Sequence, residues 1–81
     1  MNIFVGNLPF LLKEEELKSL FQTYGNIESV KIISNEITAK SMGFGFVQME
    51  NEADGAKAIE SLNNKEVLNR NIIVNEAFLV D

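Results

Sequence analysis

The sequence predicts an α+β fold in the order βαββαβ, and three observations carry that prediction. Short runs rich in β-branched and aromatic residues alternate between inward and outward positions at four places along the chain. Two intervening segments switch to apolar residues three and four apart, the period of an amphipathic helix. Glycine, asparagine and proline punctuate these changes of period, and no repeat, linker or low-complexity stretch interrupts them. At 81 residues the chain has room for one small domain and not for two. The expected domain is 1–81, with a core of about 2–77 and a short tail at 78–81.

Taken in order, Asn2–Val5 reads as a strand closed by Gly6-Asn7, and Pro9 ends regular structure. From Lys13 a helix is expected, with Leu17, Leu20, Phe21 and Tyr24 on its inner face and Glu14, Glu15 and Glu16 in the first turn, where the helix dipole favours negative charge. Lys13 stands where a serine or threonine would cap better. Gly25-Asn26 stops the helix. Ile27–Ile33 is the second strand, with Val30 and Ile32 inward against Ser29, Lys31 and Ile33. Ser34–Ser41 connects it to a third strand, Gly43–Met49. A second helix is expected over about Glu52–Leu62 with Ala56, Ile59 and Leu62 inward, although Gly55 costs about 1 kcal/mol relative to alanine. Asn63-Asn64 offers a left-handed helix end, Asn69 sits in a turn, and Ile72–Val74 is the last strand.

Composition excludes several function classes. There is no cysteine and no histidine, which removes disulfides, thiolate and imidazole catalysis and the usual zinc sites. No apolar run approaches the roughly 20 residues that span a bilayer, and Met1–Gly6 lacks the charged flank and long apolar stretch of a signal peptide. Seven Lys+Arg against twelve Asp+Glu give a net charge of −5. A nucleic-acid binder with that balance must concentrate its few cations where the ligand lies and lean on base contacts.

Alternation along the strands then separates two faces. Ile3 and Val5 suit a helix-covered face, which leaves Phe4 on the other. Val47 and Met49 share parity with Gly45 and pack beneath, so Phe44, Phe46 and Gln48 face out. Three phenylalanines on one uncovered face mark an interaction surface. Each taken alone would be ordinary core, but Val5 and Val47 already occupy the inner positions. Unstacked nucleobases stack on such rings, and Gly43 and Gly45 keep bulk low beside them and allow close approach of a chain.

These same residues carry a family resemblance. Ile3-Phe4-Val5-Gly6-Asn7-Leu8 resembles the hexamer motif of the RNA-recognition-motif family. Gly43-Phe44-Gly45-Phe46-Val47 resembles the centre of its octamer motif, K/R-G-F/Y-G/A-F-V-x-F/Y. The Leu17…Leu20-Phe21…Tyr24-Gly25 helix and the stretch Arg70-Asn71-Ile72-Ile73-Val74-Asn75-Glu76-Ala77 are also similar, so the likeness covers nearly the whole chain. It implies a ferredoxin-like sandwich: a four-stranded antiparallel sheet in the order 4-1-3-2 backed by two helices, with single-stranded RNA across the open face. It further implies that Phe4, Phe44 and Phe46 stack on bases or pack on sugars. The chain departs from the pattern at Met42, where the family carries a basic residue that contacts a phosphate, and at Met49, where it carries an aromatic. Weaker and less salt-sensitive binding is the expected result.

The remaining candidates follow from position. Lys31 shares the open face, and Lys40 either reaches it from the loop or stays solvated there. Gln48, Asn75 and Asn2 offer amides or edge positions for hydrogen bonds to bases, although asparagine at a strand end often just satisfies backbone groups. The expected partner is single-stranded RNA, with single-stranded DNA as a substitute in vitro. No cofactor, metal or membrane is expected, and the expected location is intracellular, in the cytoplasm. Met42, Ile33 and Ile73 enlarge the apolar patch and support an alternative, a protein partner or homodimer on the same face, unless Phe78-Leu79-Val80 covers it. Catalysis has little support: the carboxylates lie on helix faces, and Gly43-Phe44-Gly45 lacks the third glycine and following helix of a phosphate loop.

Overall fold

The alternating apolar residues and the helical stripes meet across one interior. In the computed structural model, which describes residues 1–78, the elements are β1 (Asn2–Gly6), α1 (Glu14–Gln22), β2 (Ile27–Ser34), β3 (Ser41–Met49), α2 (Glu52–Leu62), β4 (Glu66–Val67), β5 (Arg70–Asn71) and β6 (Ile73–Glu76). Four strands form one sheet in the order β2-β3-β1-β6, with every neighbouring pair antiparallel. With β6 as the fourth strand, this is the expected 4-1-3-2 order. Ile3, Val5, Val47, Met49 and Val74 leave the sheet on one side and are buried against Leu17 and Phe21 of α1 and Ala58 and Leu62 of α2. The opposite side carries no helix.

Local sequence explains the ends of the elements. Lysine has no acceptor for the first-turn amides, so α1 instead uses the Glu16 carboxylate, which accepts the Lys13 backbone N–H at 3.1 Å. In α2 the Asn51 side-chain oxygen accepts from the N–H groups of Ala53 and Asp54 at 2.8 and 3.1 Å. Asn64 takes the left-handed conformation at φ 70° that ends this helix.

Three expectations are corrected. The inner face of α2 is Gly55, Ala58 and Leu62, whereas Ala56 is exposed and Ile59 is half-buried. Gly55, Ala58 and Leu62 recur three and four residues apart and so share one face, and at Gly55 the absence of a side chain leaves room for Met1. The last strand runs Ile73–Glu76, and Ile72 is a buried residue preceding it. Ahead of it lies an additional two-stranded ribbon, β4 with β5, turned by Leu68 and Asn69 at φ 47° and 69°. Two consecutive left-handed residues suit a tight hairpin.

At the sheet's outer edge β2 is irregular, with register shifts between Ile27 and Ser29 and between Ile32 and Ser34. At the second of these, the Ile32 backbone N–H donates to the Glu14 carboxylate at 2.8 Å.

Candidate nucleic-acid interface

Adjacent central strands bring the three rings together. Phe4 of β1 stands directly opposite Phe46 of β3, and Phe44 is two residues along the same face. Ring centroids lie 6.1 Å apart for Phe4 and Phe44, 5.9 Å for Phe4 and Phe46, and 6.3 Å for Phe44 and Phe46. The Phe46 pairs are edge-to-face, at 64° and 89°, an arrangement that ring quadrupoles favour. Phe46 is 38% exposed, Phe4 and Phe44 are half-buried, and none lies beneath a helix.

The glycines act differently from the expectation. Gly45 faces inward, where a Cβ would strike the Lys31 carbonyl oxygen and the Ile32 Cα of β2. The chain it admits is therefore the neighbouring strand. Gly43 adopts φ 84°, a left-handed value natural for glycine, while its carbonyl accepts the Leu8 N–H at 2.8 Å.

Around the rings, the register places most candidates as expected. Lys31 stands opposite Phe46 and is exposed. Asn75 stands opposite Phe4 and is exposed. Gln48 stands between Asn2 and Ser29, and its carbonyl oxygen accepts from the Ser29 hydroxyl at 3.4 Å. Met42 is 52% exposed beside Phe4 and Phe44, Ile73 is 46% exposed, and Ile33 is half-buried. Lys40 is not brought to the rings: it lines a separate hollow with Phe10, Leu11, Ala39 and Ser41. Phe78 is exposed, and the remainder of the suggested cover, Leu79-Val80, lies outside the described residues.

The charge balance is resolved by sidedness. Among the described residues, the acids occupy α1, α2, the loops, the β2 bulge at Glu28, the β4 ribbon and the outer strand end at Glu76. No carboxylate is among the residues that pair on the face of Phe4, Phe46 and Gln48. The acidic body thus carries a face whose own strand charge is Lys31.

One cluster escaped the sequence reading. The Arg70 guanidinium donates to the Asn7 side-chain oxygen at 2.7 Å and lies 5.5 Å from the centre of the Phe10 ring. Asn7, itself left-handed at φ 52°, donates its amide to the Asn71 carbonyl at 2.9 Å. Arg70 and Phe10 line one hollow with Phe4, Phe44 and Met42. Arg70 and Asn7 are 63 residues apart, so no local pattern announces their contact. Chemically the whole surface offers planar apolar rings, side-chain amides and two cations. Among the described residues no group of three or more potential ligands is gathered for a metal ion, and no helix is long and apolar enough to cross a membrane.

Comparison with known proteins agrees with this geometry. The sequence profile of the RNA recognition motif matches residues 3–73. The RbpA protein of Nostoc sp., named as a candidate RNA-binding protein, is 39% identical over 95% of this chain and 76% of its own length. The glycine-rich, abscisic acid-inducible RNA-binding protein of Zea mays is 43% identical over 91% of this chain and 47% of its own. Among solved structures, RNA binding protein PG1 superposes with a TM-score of 0.95 at 46% identity, covering 100% of this chain and 98% of that one. The Sxl-lethal protein–RNA complex superposes at 0.94 with 32% identity, covering 99% of this chain and 48% of that one. From the paired motifs on β1 and β3, the sheet order and these similarities, the chain belongs to the RNA-recognition-motif family.

Proposed function

We propose that this chain binds single-stranded RNA across the open sheet face, without catalysing a reaction on it. The observation that carries the reading is the trio Phe4, Phe44 and Phe46, clustered and accessible on a face free of strand carboxylates. Stacking contributes about 1–3 kcal/mol per base, and bases exposed in single strands have both π-faces to offer. Lys31 meets a phosphate, while Gln48, Asn75 and Asn2 hydrogen-bond to base edges. Met42 extends the apolar platform, and Lys40 acts only on a strand long enough to leave the sheet. The expected setting is the cytoplasm, where such RNA is available. The similarity to a protein solved in complex with RNA supports the same reading.

An NMR titration with short random-sequence single-stranded RNA tests it. Shifts concentrated on β1 and β3, and weaker ones with the matching DNA, are the expected result. No shifts at low salt, together with a self-association that Ile73→Lys abolishes, would replace RNA by a protein partner on this face.

A further inference from the structure

We propose that Arg70 is a phosphodiester-binding residue of the RNA face, held by Asn7 and Phe10, which supplies the cation that Met42 lacks. The inference rests on the RNA-binding reading and adds a contact to it.

The placement comes first. Arg70 shares a hollow with Phe4, Phe44 and Met42, so a strand with bases on those two rings brings its backbone past the guanidinium. Lys31 stands beside Phe46 on β2, at the other side of the trio. The two cations therefore bracket the rings, and a chain lying across all three meets positive charge at both ends.

Preorganisation comes second. A long exposed arginine ordinarily loses rotamer freedom when it binds. Here one N–H is already fixed on Asn7 and the planar group is seated near the Phe10 ring, 5.5 Å from its centre. Asn7 is in turn held by its amide on the Asn71 carbonyl. A guanidinium has five N–H donors, and among the described residues one is engaged by Asn7. Those remaining suit the oxygens of a phosphodiester, which accept a planar fork of donors.

The choice of backbone over base follows from the rings. Bases occupy Phe4 and Phe44, so the group arriving at the margin of the hollow is the sugar–phosphate link between stacked bases. A phosphate contact is sequence-neutral and sensitive to salt, whereas a base contact is the reverse. That difference makes the assignment testable.

The affinity of the full chain for a short labelled random-sequence RNA is measured by fluorescence anisotropy at several salt concentrations. Each neutralised phosphate on a single strand contributes a slope of about −0.7 to log affinity against log salt. Over a fourfold rise in salt, one such contact accounts for roughly a 2.6-fold weakening. Arg70→Gln should weaken binding and make the slope shallower by about 0.7. Arg70→Met, which keeps apolar contact with Phe10, should do the same, while Arg70→Lys keeps the wild-type slope. Lys57→Gln on the exposed face of α2 should leave the slope unaltered and controls for net charge. The relative affinities for oligo-U, oligo-A and oligo-C should keep their order in every Arg70 variant.

An unaltered slope in both neutral variants, with wild-type RNA binding intact, would overturn the assignment alone. So would a changed order among the three oligonucleotides, which would make Arg70 a base reader. Absence of RNA binding by the wild-type chain would instead overturn the functional reading, and this contact with it.

Discussion

Replacing Phe46 by alanine should separate binding from folding, because the ring has one face in each process. It is 38% exposed and makes edge-to-face pairs with Phe4 and Phe44, at 5.9 and 6.3 Å. Aromatic pairs of this kind contribute about 0.5–1.5 kcal/mol each beyond the area they bury, and a ring that is 38% exposed loses only part of the burial contribution, so truncation should cost roughly 2–3 kcal/mol of stability. That lies below the about 3–5 kcal/mol expected for truncating a fully buried phenylalanine such as Phe21, which is 0% exposed. On the RNA side, removal of one stacking platform should cost about 1–3 kcal/mol. This corresponds to roughly 5- to 150-fold in affinity. Urea unfolding followed by circular dichroism gives the first quantity. Anisotropy with labelled RNA, at urea-free conditions where each variant is folded, gives the second. Phe21→Ala should show the opposite profile, a large loss of stability with near wild-type affinity in the folded fraction. If Phe46→Ala is as destabilising as Phe21→Ala while its folded fraction keeps full affinity, the ring is core and the stacking argument fails.

Further outcomes follow from the sheet. Gly45→Ala should destabilise by about 1–3 kcal/mol or more, since the added carbon meets the β2 backbone, which has no rotamer to give; a urea midpoint equal to wild type would refute the close packing. Lys31→Gln should make the salt slope for RNA binding shallower by about 0.7, whereas Lys40→Gln should leave it unchanged on an RNA just long enough to cover the sheet. Equal effects from the two lysines would mean that the loop carrying Lys40 closes over the bound strand.

Much of this architecture is legible in the sequence because period and parity are strong constraints. Leu17 and Phe21 reveal one face of α1, and the alternation through Val47 and Met49 leaves Phe44 and Phe46 nowhere but the other side of the sheet. The inner face of α2 is harder to read, since alanine is compatible with either environment and the Met1 side chain beside Gly55 comes from a distant part of the chain. The β4–β5 ribbon is too short for any period, and Leu68 at a left-handed φ gives no warning of its turn. Net charge is a sum and says nothing of sides: that no carboxylate among the described residues pairs on the ring-bearing face appears only once register is known. Arg70 is the clearest omission, because its meaning depends on Asn7 and Phe10 rather than on its neighbours.

The Glu14 carboxylate on the Ile32 N–H has a consequence for self-assembly. An edge strand ordinarily presents vacant donors and acceptors to any extended chain that meets it, and growth from such edges leads to aggregates. Here a donor of β2 is held at 2.8 Å by a charged acceptor, at a point where the strand's register also slips. An incoming strand would have to displace a charge-assisted hydrogen bond, which is about twice as strong as a neutral one, and to do so next to Glu15, which lines the same hollow along β2. Strand addition at this margin is thereby opposed by the same helix that covers the core, so the apolar platform can remain open to a ligand without the sheet itself propagating from β2 into a second molecule.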